Sequence, residues 1–161
     1  MMANQALRIA SLGFATFATA CTTNFVAPVN QLPLEAQNAP TQVVVDNTPL
    51  QVDLYIYRNF QPGTVVDTRI IAAFQLTAAA GHSLPLGLRP EKAWIVHTEE
   101  FWASAPRQEQ PPVNDNRVDF VSRQGPTWPV GDFVTGVLML RDARNNSYFL
   151  RSPPRAIGRA D

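Results

Sequence analysis

A chain of 161 residues has room for one domain and a leader. With 45% hydrophobic and 16% charged residues, it has enough apolar material for a core and too little charge for a disordered chain. Basic and acidic residues balance at 13 each, which removes the field that non-specific nucleic-acid binding needs, and a single cysteine excludes an internal disulfide and a cysteine-based zinc site.

The chain opens with MMANQALR, where Arg8 is the only charged side chain, and continues with the apolar run IASLGFATFATA, Ile9 to Ala20. A basic start, an apolar stretch and a small-residue end predict a secretory signal peptide over residues 1–20. Helix of that length rises only about 18 Å against a bilayer core of about 30 Å, so a transmembrane helix is the weaker reading. The last positions, Ala18, Thr19, Ala20 and Cys21, resemble the end of a bacterial lipoprotein signal, in which the cysteine becomes the lipid-bearing first residue of the mature chain. Ala18 departs from that pattern, which usually has leucine or another larger aliphatic residue there. Cleavage after Ala20 without lipid is the alternative. The resemblance implies lipid attachment at Cys21, and Thr22 behind it implies export to the outer membrane and a periplasm-facing domain.

Residues 21–42 follow, with Pro28, Pro33 and Pro40, recurring Asn and Gln, and no apolar periodicity. This composition predicts a flexible or partly extended tether. From Val43 the period becomes two and predicts a β-sandwich domain over residues 43–161. QVDLYIYR puts Val52, Leu54 and Ile56 on one face; TRIIAAFQLT turns Ile70, Ala72, Phe74 and Leu76 inward. KAWIVHT separates Trp94 and Val96 from Ala93, Ile95 and His97, and RVDFVS alternates at Val118 and Phe120. Phe133 to Arg141 is apolar on both faces, the mark of a central strand. DARNN then predicts a hairpin into SYFLR, and a last short edge lies at Arg155 to Ile157.

The one helix-like stretch outside the leader, FQLTAAAGHSL, is interrupted by Gly81 with Pro85 close behind. The fold class is therefore all-β: a two-sheet antiparallel sandwich of about seven strands. Trp94 in an early-middle strand and the tail-end hairpin resemble immunoglobulin-like or fibronectin-like domains, without the paired cysteines of antibody domains. That likeness implies an architecture and no activity.

Chemistry-bearing motifs are few. His82 and His97 have no second histidine at metal-ligand spacing, so no metal or cofactor is expected. His97 has Glu99 and Glu100 nearby, yet reads better as a histidine on the solvent face of a strand. GHSLPLG lacks the nucleophile-elbow spacing, and NDNRVD lacks the glycine and terminal glutamate of a calcium loop. Phe101 and Trp102 in TEEFWASAP, with Trp128 in GPTWPVG, have two readings: an exposed aromatic platform for a partner protein or glycan, or plugs over the open ends of the sandwich. The expected function is a non-enzymatic, membrane-tethered interaction or structural module with an envelope protein partner. A glycan-binding module using the loop aromatics is the alternative, and an envelope hydrolase ranks last.

Overall fold

The computed structural model describes residues 24–60, 68–112 and 114–161. The leader over 1–20 and the lipid-attachment candidate Cys21 lie outside the described residues. The N-terminal part holds β1 (Phe25–Pro28), a 3-10 turn (Val29–Gln31), α1 (Leu34–Gln37), β2 (Gln42–Val45) and β3 (Thr48–Asn59). The middle holds β4 (Ile70–Ala78), β5 (Arg89–His97), β6 (Glu100–Ser104) and β7 (Arg117–Ser122). The C-terminal part holds β8 (Phe133–Arg141), β9 (Ser147–Arg151), β10 (Arg155–Ala156) and β11 (Gly158–Ala160).

One sheet runs β1-β6-β5-β8-β10, with β9 also on β8; the other runs β11-β3-β4-β7, with β2 also on β3. Every pairing is antiparallel except that of β11 with β3. The fold is an all-β two-sheet sandwich. β3-β4-β7 faces β6-β5-β8-β9, and β1, β2, β10 and β11 are short additions. Of the central strands, β3, β4, β5, β7 and β8 follow the apolar patterning and β9 the hairpin spacing, whereas β6 falls where the sequence reads as a loop.

The alternation explains the core. Leu54, Phe74 and Phe120 stand opposite one another across β3, β4 and β7, as do Val52, Leu76 and Val118, and all are buried. Facing them are Ile95, Trp102, Leu138, Leu140 and Leu150. Gly136 sits in the same inward row of β8, where a Cβ would stand only 2.6 Å from the Phe74 ring. The missing side chain is what admits the phenylalanine. β2 and β3 close on a two-residue turn, Asp46-Asn47, with φ of 46° and 63°, the conformation that suits the twist of a tight hairpin.

The expected tether is packed onto the sandwich from Asn24 onward, which corrects the flexible reading for residues 24–42. β1 pairs with β6, and Leu32, Ala36 and Ala39 are buried over the outer face of the six-stranded sheet, against Trp94, Phe101 and Val137. Arg151 on β9 clamps this strap: its guanidinium donates to the carbonyls of Ala36 (3.0 Å), Gln37 and Ala39 (3.3 Å). Its own backbone N–H donates to Pro40 O at 2.8 Å. Proline and a four-residue helix give no sequence periodicity, so the segment reads as loop; burial against tertiary partners is what orders it. The strap also explains why β8 is apolar on both faces. Leu138 and Leu140 face the inter-sheet core, while Val137 and Met139 lie under the strap. Trp94 is there too, stacked on Phe149 at 6.1 Å between centroids, and not between the sheets.

At the C-terminus the chain changes sheets. β10 lies on β8, Ile157 is buried, and β11 joins β3. Arg155 crosses with it and donates to both carboxylate oxygens of Asp53 at 2.9 and 2.6 Å. That hydrogen bond holds the Asp53 carboxyl below its usual range, burial opposing it. Glu91 and Glu109 are lowered in the same way by Arg141 and Arg123. A carboxylate with a depressed folded pKa stabilises the fold above its unfolded pKa, about 3.9 to 4.3, and loses that contribution as pH falls through the folded value. The melting temperature is therefore expected to hold steady from neutral pH down to about 5 and to drop below about 4. Added salt should reduce the size of the drop, because these pairs are half exposed. Thermal melts across pH 2.5–7 at two salt concentrations, roughly bracketing the carboxylate range, check it.

Candidate functional site

The β5–β6 hairpin turns through Thr98 and Glu99 at one open end of the sandwich. Thr98 has φ of 47°, a left-handed conformation that β-branched residues rarely adopt. The strained turn brings His97 and Glu100 side by side, and the loop between β7 and β8 completes the cluster. His97 Nε2 lies 3.0 Å from Asp132 Oδ2. The imidazole rests on the Trp128 ring, with centroids 4.8 Å apart, and the Trp128 indole N–H donates to Glu100 Oε1. Arg58 holds the loop from beneath, donating to the carbonyls of Thr127 and Trp128. Beside this group, an open crevice of about 600 Å³ is lined by Val26, Pro28, His97, Thr98 and Glu99 among others.

His97 is not a solvent-face residue. It shares the inward parity of Ala93 and Ile95, and its side chain is only 16% exposed. Chemically, the arrangement locks a hairpin to a loop through an imidazole–carboxylate pair, a ring stack and an indole–carboxylate hydrogen bond. Asp132 was not legible, because 35 residues separate it from His97 and no motif links them. Among the described residues, no group of three or more His, Cys, Asp or Glu side chains is placed to hold a metal ion.

The three aromatics expected to form a partner-binding surface take other places. Phe101 and Trp102 belong to strand β6 and not to a loop, at 2% and 1% exposure, and Trp128 is 6% exposed. Phe101 points outward under the strap, edge-on to Phe25 at 6.0 Å. Trp102 points the other way, into the inter-sheet core, so close to Gly125 that a Cβ there would lie 2.7 Å from the indole. Its Nε1 has no hydrogen-bond partner among the described residues. None of the three offers an exposed face to a protein or glycan: Trp102 and Trp128 belong to the inter-sheet core and Phe101 to the cluster under the strap. The physical reason is the hairpin. Two carboxylates interrupt the apolar pattern just before Phe101, which makes a strand start look like a loop.

Exposed apolar side chains lie elsewhere. At the other end of the sandwich, Leu84, Leu86, Leu88, Val118 and Phe120 help line a groove of about 570 Å³, with Leu86 95% exposed. Along the strap, Phe25, Val26 and Leu34 are 42%, 45% and 68% exposed. No protein-family model, curated protein or solved structure matches the chain.

Proposed function

We propose that the protein is a lipid-tethered, non-enzymatic interaction module of the bacterial cell envelope, anchored through Cys21 and exposed to the periplasm. The observation that carries this reading is the Ala18-Thr19-Ala20-Cys21 end of an apolar leader, with an ordered sandwich beginning a few residues later. The main polar cluster is consistent with it as well, since His97 pairs with Asp132 and Trp128 with Glu100, linking a hairpin to a loop. With Phe101, Trp102 and Trp128 inside, the contact role for an envelope protein passes to the end loop carrying Leu86, an apolar anchor beside a largely apolar groove that also holds Gln108, Asn114 and Asp115.

The test is made in the native host. Intact mass of the membrane-fraction protein is expected to show a chain beginning at Cys21 with added acyl mass, and Cys21→Ser is expected to move the protein out of the membrane fraction. A photo-crosslinker at Leu86 should then trap one envelope protein reproducibly. A mature chain without acyl mass overturns the anchor, and turnover of an envelope substrate by the purified protein overturns the non-enzymatic reading.

A further inference from the structure

A lipid anchor at Cys21 constrains how the domain is held. Resting on that anchor, we infer that the β1 edge of the sandwich is the protein's membrane-facing side, with Phe25 and Val26 at the level of the lipid headgroups. Length sets the first constraint. Asn24 is three residues beyond Cys21, and three residues span at most about 11 Å however they are arranged. The headgroup layer alone is about 5–8 Å deep on each side of the hydrocarbon core. An acylated Cys21 therefore leaves Asn24 little distance beyond the headgroups.

Nor can the strap lengthen the leash without breaking structure. Asn24 donates its side-chain amide to Arg123 O at 3.0 Å, β1 is zipped to β6 from Phe25 to Pro28, and Arg151 clamps the far end. The chain thus enters the fold at the β1 edge, and that edge is what the short link presents to the bilayer.

The chemistry of the edge agrees. Exposed edge strands are usually protected by charges, but β1 reads FVAP, with no charged side chain and two large apolar ones open to the outside. Being consecutive, Phe25 and Val26 lie on opposite faces of the strand, so each face carries one exposed apolar side chain, with Glu99 in the crevice beside Val26. Lys92 Nζ stands 5.6 Å from the Phe25 ring, a cation beside an apolar ring, which suits a phosphate above and acyl carbons below. A lipid surface is the occupant that fits the short link, the locked strap and the apolar edge together. The β9, β10 and β2 side then faces away, since β1 and β10 are four strand spacings apart, about 19 Å.

The experiment uses the acylated full-length mature protein in vesicles of phosphatidylcholine and phosphatidylglycerol containing nitroxide-headgroup lipid. Acylated Cys21 has no free thiol, so a fluorophore can be placed singly on Val26→Cys, Asn24→Cys or, on the opposite edge, Val44→Cys. Both near-edge labels are expected to be quenched severalfold more than the label at 44, with unchanged melting temperatures confirming three folded proteins. Having two near-edge positions keeps the comparison available if one variant folds poorly. Equal quenching, or stronger quenching at 44, overturns the membrane-facing edge while vesicle co-flotation and acyl mass leave the anchor standing. Protein that carries no acyl mass and fails to float removes the anchor, and the membrane-facing edge with it.

Discussion

Leu138→Asp is expected to unfold the domain under conditions where the parent is folded. Leu138 has no exposed surface and stands mid-strand on β8, paired with Ala93 on one side and Leu150 on the other. The substitution removes the packing of a buried leucine and places a carboxylate where no cation or donor is within the apolar row. Loss of the side chain alone costs about 2–5 kcal/mol, and the buried charge adds to it, enough to consume most of a typical domain's roughly 5–15 kcal/mol. Urea titration followed by circular dichroism reads the outcome. An unchanged midpoint would place Leu138 at the surface and reverse the faces of β8.

Trp102→Ala should cost about 3–5 kcal/mol, because the ring fills the core between β6 and the Gly125 loop and leaves a large cavity when removed. The companion variant is more discriminating. Trp102→Phe keeps a ring in place and removes the indole N–H that lacks a partner, a group whose burial costs about 1–3 kcal/mol. It should therefore lose much less stability than its lost volume implies. If Trp102→Ala melts like the parent, the ring is at the surface and a partner-binding role for it is restored.

These two variants also show where sequence reading succeeds. Leu138 was legible because a run that is apolar on both faces has few homes other than a central strand. The same period-two logic found β3, β4 and β7, whose inward residues alternate, while the short polar spacing of DARNN pointed to β9. It failed at Trp102 because β6 begins directly after a two-residue turn made by Thr98 and Glu99, residues that carry none of the usual turn signals. Asp46-Asn47 does carry such a signal, and its left-handed pair closes β2 onto β3. The strap was opaque for a different reason. Phe25, Leu32, Ala36 and Ala39 have no common period, and their order comes from Trp94, Phe101 and Arg151, between 55 and 126 positions away in sequence. The His97–Asp132 pair belongs to the same class: contacts made by topology leave no local trace.

The clamp on the strap has a consequence for how the molecule comes to be. Ala36 and Arg151 are 115 residues apart, so a chain emerging from its N-terminus makes the strap first and the residue that fastens it much later. Until β9 exists, the strap has no cation to close on and the Trp94 face of the six-stranded sheet has no Phe149 to stack against. Such distant closure is slow compared with forming hairpins such as β3–β4 or β8–β9. The sandwich can thus assemble around an N-terminal strap that is not yet fastened. Fastening the strap waits for β9.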